Sequence, residues 1–264
     1  MRRATVTAVT GPLLAALLAT ATACSSDSGG DDGDGKKSTP VSVAAGETGR
    51  TSARITERVK VTSDKGGFEL TASGPFDMAK DTGKLSVRMP GGAIDHMDEV
   101  FGGGKVYLRP LGNLGKDTWA VIDRDRAQAH YLLRSPANDP EHLLWQVSGM
   151  RDVRERGTER IRGERTTHYR GTLGHDTVAA RLDPLTLAKV EALREKEGED
   201  LPVTADAWVD GKGRLARVRL ASAMGGTEVT ITMDLTDFGV AVRVPVPDPT
   251  STKATETTQG LLPG

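Results

Sequence analysis

A two-residue alternation of apolar and polar side chains runs through most of the chain from Thr51 onward. In residues 53–62 the apolar side chains fall on one side, and Glu57 is the interruption of that side. Because successive side chains of a strand point to opposite faces of a sheet, this alternation predicts strands that bury one face. Turns separate further segments of this kind, which lie at residues 68–72, 85–89, 105–109, 118–123, 203–209, 216–220 and 229–235. Consecutive strands joined by short turns predict an antiparallel sheet.

Two helices are predicted between groups of these strands. Asp139-Pro140 and Asp183-Pro184 each place an N-cap side chain before a proline in the first turn, which is a typical helix start. Apolar residues at helical spacing follow both signals. The order of strands, helix, strands, helix and strands predicts an α+β fold, in which a large antiparallel sheet carries a few helices on one face.

The N-terminus has the layout of a cleaved export signal. Arg2 and Arg3 precede a short apolar stretch at residues 11–23, and small residues lead directly to Cys24. Cys24 is the only cysteine, so it forms no disulfide within the chain, and its position suits attachment of a lipid anchor. We predict a lipoprotein signal peptide at residues 1–23 and a lipidated Cys24 that holds the protein on the extracytoplasmic face of the cell membrane. The alternatives are an ordinary cleavage site and an uncleaved spanning helix, against which a Gly-Pro break and several threonines argue.

The composition also predicts how the mature chain is divided. Residues 24–50 begin with a run of Gly, Ser and Asp that buries too little apolar surface to fold, so we predict a flexible tether there. Residues 51–249 are predicted to form a single domain, which is long enough to bury roughly 70% of its unfolded surface. Residues 250–264 are predicted to be a disordered C-terminal tail.

Composition and motifs exclude several classes of function. Lys and Arg number 35 against 36 Asp and Glu, and aromatic residues make up 4%, so the chain has neither the charge nor the stacking surface for nucleic acid. Neither a G-x-S-x-G nor an H-E-x-x-H motif occurs, and the five histidines are scattered. We therefore predict no enzyme activity, no catalytic residue, no metal site and no cofactor.

A set of large apolar side chains on the predicted strands and the first predicted helix suits a ligand cavity. Ligand cavities are mostly apolar, and here the sheet has a long apolar face with few helices to cover it. The same side chains would also form an ordinary solid core, which is the alternative. The candidate cavity residues are Val59, Phe68, Leu70, Val87, Met89, Tyr107, Trp119, Leu144, Trp145, Ile231 and Met233.

Four segments resemble the LppX/LprG type of actinobacterial lipoproteins, which are similar in fold to the carrier LolA. They are the lipobox at Cys24, the hairpin GTERIRGERTTHYRG (157–171), the strand pair AWVDGKGRLARVRL (207–220) and the closing segment DLTDFGVAVRVPVPDP (234–249). The resemblance covers residues 51–249 and includes no catalytic residue. It implies a curved half-barrel whose concave face, covered by helices, holds acyl chains. It also implies a lipid or glycolipid as the partner.

One departure from that family concerns the residues before the first strand. Family members open with an amphipathic helix there, whereas residues 40–50 are short and contain Gly46 and Gly49. Our expectation is a monomeric, membrane-anchored extracytoplasmic lipoprotein that binds or carries a lipid or glycolipid. The alternative is a tethered interaction or sensory module without a cavity, whose polar hairpin at residues 151–172 contacts another envelope protein.

Overall fold

The computed structural model describes residues 38–92, 94–112, 114–198, 201–224 and 226–256. Cys24 and the predicted signal peptide lie outside these residues. No helix in the described part of the chain is long and apolar enough to cross a bilayer. The elements are α1 (Pro40–Thr48), β1 (Ser52–Ser63), β2 (Gly66–Asp77), β3 (Thr82–Arg88), β4 (His96–Gly102), β5 (Lys105–Arg109), β6 (Trp119–Asp123), α2 (Pro140–Ser148), β7 (Arg151–Ile161), β8 (Glu164–Thr172), α3 (His175–Ala179), α4 (Pro184–Glu197), β9 (Val203–Asp210), β10 (Leu215–Met224), β11 (Thr227–Thr236) and β12 (Thr252–Ala254).

All twelve strands form one curled sheet in the order β12-β6-β5-β4-β3-β2-β1-β11-β10-β9-β8-β7. Every neighbouring pair is antiparallel except β12 and β6, which run parallel. Strand β1 lies between β2 and β11, so the first and the eleventh strands of the sequence are neighbours. The predicted α+β fold with a large curved antiparallel sheet and a few helices is confirmed.

The face of the sheet that packs against the helices, called here the inner face, carries the main core. The register of β1 places Val59 opposite Leu70 on one side and Ile231 on the other, and all three side chains are buried. Leu143 and Val147 of α2 are fully buried in the same cluster. Each large aliphatic side chain buried in this way contributes about 1.5–3 kcal/mol, so the helices and the sheet stabilise each other.

Both predicted helices are confirmed, and their starts are built as the sequence indicates. The Asp139 carboxylate accepts from the Glu141 backbone N–H at 3.0 Å and begins α2. Asp183 accepts from the backbone N–H groups of Leu185 and Thr186, at 3.0 and 3.3 Å, and begins α4. Each cap satisfies donors that the first turn of a helix leaves without an intrahelical partner.

The predicted tether at residues 24–50 is wrong in its C-terminal part, because residues 40–48 form α1. Thr39 and Ser42 form a capping box, and Val41, Ala44 and Ala45 are buried in the main core. The Thr48 hydroxyl accepts from the Leu215 backbone N–H at 2.8 Å, which ties the end of α1 to β10. Burial of this apolar side stabilises a helix too short to form alone.

The predicted C-terminal tail is also wrong at its start. Residues 252–254 form β12, which pairs in parallel with β6 at the edge of the sheet. A short 3-10 turn at Pro249–Ser251, capped by the Asp248 carboxylate, leads into this strand. The folded domain therefore extends past residue 249.

Candidate functional site

A polar pocket of about 840 Å³ lies at the N-terminal end of α2. It is open to solvent, and its walls come from the β2–β3 turn, the end of β6 with the following loop, α2, and the segment after α3. Most of its lining side chains are charged, and Trp145 is the one aromatic among them. The lining residues are Asp81, Gly104, Asp123, Arg124, Asp125, Arg126, Asp139, Glu141, His142, Trp145, Ala180 and Arg181.

Arg124 organises the floor of the polar pocket. Its Nε and Nη2 donate to the two carboxylate oxygens of Asp139 at 2.7 and 2.6 Å, a bidentate pair. Nη2 also lies 3.2 Å from Glu141 Oε2, and Nη1 lies 3.5 Å from Asp81 Oδ1. Burial lowers the pKa of Arg124, but its hydrogen bonds with Asp139 raise it more, so the guanidinium stays charged. One cation thus holds three carboxyl groups together.

Two titratable groups on α2 are uncharged near neutral pH. Burial raises the pKa of Glu141 to about 8; Arg124 opposes this rise, and the neighbouring Asp139 and Asp81 add to it. Burial lowers the pKa of His142 to about 4. The His142 ring stacks on Trp145 with a centroid distance of 5.5 Å. The wall that α2 contributes to the pocket therefore carries less charge near neutral pH than the residue types Glu141 and His142 would suggest.

A second recess, called here the helix groove, runs between α1 and α2 and has a volume of about 440 Å³. Most of its lining residues are apolar or glycine. It shares Glu141 and Trp145 with the polar pocket, so the two recesses are adjacent at this indole. The lining residues are Ser42, Ala45, Gly46, Gly49, Met78, Glu141, Leu144, Trp145 and Ser148.

A buried charged cluster lies inside the main core, beneath the segment that leads into α2. Glu57 of β1 and Glu99 of β4 are fully buried, and Arg134 and Asn138 lie beside them. Asn138 Nδ2 donates to Glu99 Oε1 at 2.7 Å, and Arg134 Nη2 donates to Asn138 Oδ1 at 2.8 Å. Within the described residues, neither oxygen of Glu57 and only one oxygen of Glu99 has a hydrogen-bond partner.

Burial dominates the titration of this cluster. It raises the pKa of Glu57 to about 7 and that of Glu99 to about 8, and the nearby Arg134 lowers both only in part. Removing a charged carboxylate from water without hydrogen-bond donors is costly, so the protonated form is favoured. Glu57 and Glu99 therefore bind protons near neutral pH, at which exposed carboxyl groups are ionised.

On the other face of the sheet, called here the outer face, the β7–β8 hairpin carries an ion-pair network. His168 lies between two carboxylates, with Nδ1 2.9 Å from Glu159 Oε1 and Nε2 2.7 Å from Asp206 Oδ1. Its ring stacks on Trp208 at 4.4 Å, and Arg170 Nε donates to Asp206 Oδ1 at 2.7 Å. These side chains supply one another's ion-pair and hydrogen-bond partners across β7, β8 and β9, which indicates a structural role.

The predicted cavity residues do not line one open space. Most of them pack in the main core; these are Val59, Leu70, Val87, Met89, Leu144, Ile231 and Met233, with Phe68 packed against its edge. Leu144 also lines the helix groove, and Trp145 is half-exposed at the point where that groove meets the polar pocket.

The grouping of Tyr107 and Trp119 with the other candidates is wrong. Both form a separate outer-face cluster with Val100. Tyr107 pairs with Val100 in the register, and the Arg109 guanidinium covers the Trp119 ring at 4.3 Å. In β5 three apolar residues follow one another, so alternation alone does not decide which of them faces the helices.

Sequence reasoning missed the polar residues that shape the site. Arg124 lies in a loop, and its partners come from two other parts of the chain, Asp81 from the β2–β3 turn and Asp139 and Glu141 from the start of α2. The interruption of the alternation at Glu57 was the one signal of the buried cluster, since a charge on an apolar strand face needs a partner or a neutral form.

Comparison with known proteins gives distant structural neighbours only. No family model and no curated protein matches the sequence. LprF from Mycobacterium bovis is 14% identical, with 79% of this chain and 95% of that chain covered and a TM-score of 0.45. The lipoprotein LppX from Mycobacterium tuberculosis is 18% identical, with 78% and 94% covered and a TM-score of 0.44. A putative outer membrane lipoprotein-sorting protein domain from Vibrio parahaemolyticus is 10% identical, with 75% and 90% covered and a TM-score of 0.29.

Proposed function

We propose that this chain is a membrane-anchored extracytoplasmic lipoprotein that binds a lipid or glycolipid. The observation that carries the proposal is the junction of two unlike recesses at Trp145, the polar pocket of about 840 Å³ and the helix groove of about 440 Å³. A lipid has the same two-part chemistry. Its head group fits the polar pocket, and an acyl chain fits the helix groove.

The chemistry of the polar pocket supports a head group rich in hydroxyls. Asp123, Asp125 and Asp81 offer acceptors for hydroxyl protons, and Arg124 and Arg181 offer donors. Carboxylates outnumber arginines in the lining, which disfavours a strongly anionic head group. A sugar head group carries many hydroxyl groups and no strong negative charge, so it meets both conditions.

The helix groove supports an acyl chain. Ala45 and Gly46 of α1 face Leu144 and Trp145 of α2 across it, with Met78 completing the lining. Each methylene that leaves water for such a surface contributes about 0.8 kcal/mol. The ligand position proposed here is thus between the two helices, whereas the interior of the sheet is occupied by the main core.

The sequence supports the anchor. Cys24 follows an export signal and is the only cysteine, and acylation at that position would keep the domain at the membrane surface. The proposed location is the extracytoplasmic face of the cell membrane. Binding of a lipid by a domain held there needs no enzyme chemistry, and we propose none.

An interaction module is the second candidate, and it is favoured by the sheet edge at β7. Strand β7 ends the strand order, and most of its side chains are exposed and charged. An edge strand can accept a strand from another protein. Variants of that edge would weaken a protein complex and leave lipid binding unchanged, which separates the two functions.

Closing the helix groove from α1 tests the lipid site. Gly46 lines the groove, and a Cβ added there meets no atom within 4 Å, so a side chain can be introduced at this position and Gly46→Phe is chosen to fill the groove. We expect the affinity for a fluorescent acyl lipid to fall at least about tenfold, which corresponds to 1.4 kcal/mol or about two methylenes. The measurement uses the full chain with Cys24→Ser, so that its own acyl groups do not compete.

Gly211→Phe is the matched control for this variant. Gly211 lies in the β9–β10 turn, and a Cβ there also meets no atom within 4 Å. We expect its lipid affinity to equal that of the parent chain. Equal affinities for all three proteins would show that the helix groove is not the acyl site.

A further inference from the structure

We infer that the α1–α2 surface docks on the bilayer, with Val43 and Trp145 in its interfacial layer and the helix groove open toward the lipid. This inference rests on the proposed anchor at Cys24 and deepens the proposed function, because it gives the ligand a direct route from the membrane into its site. The occupant is a lipid bilayer, and its contact with the protein is mainly apolar.

Two exposed apolar side chains define the docking surface. Val43 of α1 is 54% exposed and Trp145 of α2 is 50% exposed, although the helices that carry them pack against each other. Val43 and Gly46 are i,i+3 neighbours on α1, and Gly46 faces the helix groove that Trp145 also lines. The two side chains therefore flank one recess.

Tryptophan at this position suits a membrane interface. The indole has a large apolar body and one polar N–H, and such rings are enriched where hydrocarbon meets head groups. The other two tryptophans of the chain, Trp119 and Trp208, are only 9% and 7% exposed. Trp145 is thus the one tryptophan that can enter a bilayer without unfolding the protein.

In the chain, the proposed anchor at Cys24 precedes α1, one of the two helices that form this surface. Helix α1 begins at Pro40, which is sixteen residues after Cys24. Sixteen residues reach at most about 53–58 Å, at about 3.3–3.6 Å for each residue. Acylation of Cys24 would therefore limit the distance between the bilayer and the N-terminal end of α1 to less than about 60 Å.

The charges beside the surface do not oppose docking on a neutral bilayer. Glu47 of α1 forms an ion pair with Arg50, which lies just past the end of that helix, so their charges cancel one another. Glu141, between the helix groove and the polar pocket, has a pKa of about 8 because of burial and is mostly uncharged at pH 7. Apolar contact without a basic patch predicts that docking changes little with salt.

The test is the quenching of tryptophan emission by lipid-borne spin labels, with the lipidated full chain in phosphatidylcholine vesicles. The wild type and Gly46→Phe are both measured, because Gly46→Phe excludes labelled lipid from the groove and leaves only quenching by the bilayer. We expect quenching in both proteins and its loss in Trp145→Phe. We also expect aqueous iodide to quench Trp145 about threefold less on vesicles than in detergent.

A pair of valine variants supplies the control. Val43→Ser is expected to reduce quenching by the bilayer at least about twofold, because it removes apolar surface from the interface. Val246→Ser changes a valine that is 48% exposed but lies outside α1 and α2, and it is expected to leave the quenching unchanged. Equal effects of the two variants would overturn the docking surface.

Vesicle flotation separates the failure of this inference from the failure of the proposed function. If the wild type floats with vesicles and Gly46→Phe shows no quenching by lipid labels, the anchor remains and the docking surface is wrong. Trp145 could instead become protected from iodide as the protein concentration rises, without any quenching by lipid-borne labels. That result would assign the surface to a contact with a second copy of the chain and would overturn docking on the bilayer. If the wild type does not float with vesicles, or if Cys24→Ser floats as well as the wild type does, the proposed anchor at Cys24 is wrong.

Discussion

Replacement of Glu57 by Gln is expected to raise the free energy of unfolding at pH 8 by at most roughly 3 kcal/mol and to flatten its dependence on pH. Burial raises the pKa of Glu57 from 4.5 to about 7, and each pKa unit corresponds to 1.36 kcal/mol. In the unfolded chain the same carboxyl has its ordinary pKa. The stability linked to its protonation is fully present below pH 4.5 and is lost as the pH rises toward 7.

Glutamine is the informative substitution because it keeps the shape of the side chain and cannot become charged. Glu99 remains in Glu57→Gln as the partner of the buried Arg134, so the variant leaves one cation with one carboxyl group. Removing both carboxyls would instead leave Arg134 with no carboxyl beside it that can ionise, which is costly in a dry core.

Urea unfolding at several values between pH 5 and pH 8 measures this effect. We expect the stability of the wild type to fall steadily with pH over that range and the stability of Glu57→Gln to fall less steeply. Glu69→Gln is the control, since Glu69 is an exposed residue of β2 that pairs with Arg58 at 2.7 Å. Parallel curves for the wild type and Glu57→Gln would show that Glu57 is not protonated in the folded protein.

Replacement of Arg124 by Met is expected to cost about 3–5 kcal/mol, because it leaves the buried Asp139 carboxylate without its cation. The Asp139 side chain is 4% exposed and also caps α2, so its charge cannot be moved into water while the helix is intact. Arg124 further contacts the rings of Phe76 and Phe101, at 5.6 and 5.5 Å from their centroids. We expect unfolding to begin at a much lower urea concentration.

A second substitution distinguishes loss of the ion pair from loss of packing. Asp139→Asn removes the stranded charge and keeps a good N-cap side chain, so Arg124→Met with Asp139→Asn is expected to regain a large part of the lost stability. Arg58→Met is the matched control, because its partner Glu69 is exposed and surface pairs contribute little. If the double variant is no more stable than Arg124→Met, the loss comes from packing on Phe76 and Phe101.

The strands and two of the helices could be predicted because local sequence determines them. Alternation marks a strand whose two faces have different surroundings, as in β1 and β11, and an Asp-Pro pair marks the start of α2 and of α4. Helix α1 was missed even though Thr39-Pro40 is a start signal of the same kind. Its short length, Gly46 within it and Gly49 directly after it gave a weak local signal, and its stability comes from burial of Val41 and Ala44 in the core.

The candidate site could not be predicted because its members meet only after folding. Asp81, Arg124 and Asp139 are each ordinary polar residues in the sequence, and the register of the sheet together with the α2 cap makes them one cluster. The apolar cavity was predicted among strand residues that belong to the interior of the domain. Side chains such as Leu70 and Val87 have no exposure and fill the core, whereas the recesses lie around Trp145.

The proposed function requires a bound lipid, which native mass spectrometry of the full chain with Cys24→Ser, exported from a bacterial host, would detect. We predict an added mass in the range of a phospholipid or glycolipid that is released on denaturation, is absent from the protein that also carries Gly46→Phe, and is present with Gly211→Phe. A bare protein mass in every case, unchanged after incubation with lipid vesicles, would contradict the lipid-binding function and favour the interaction module at the β7 edge.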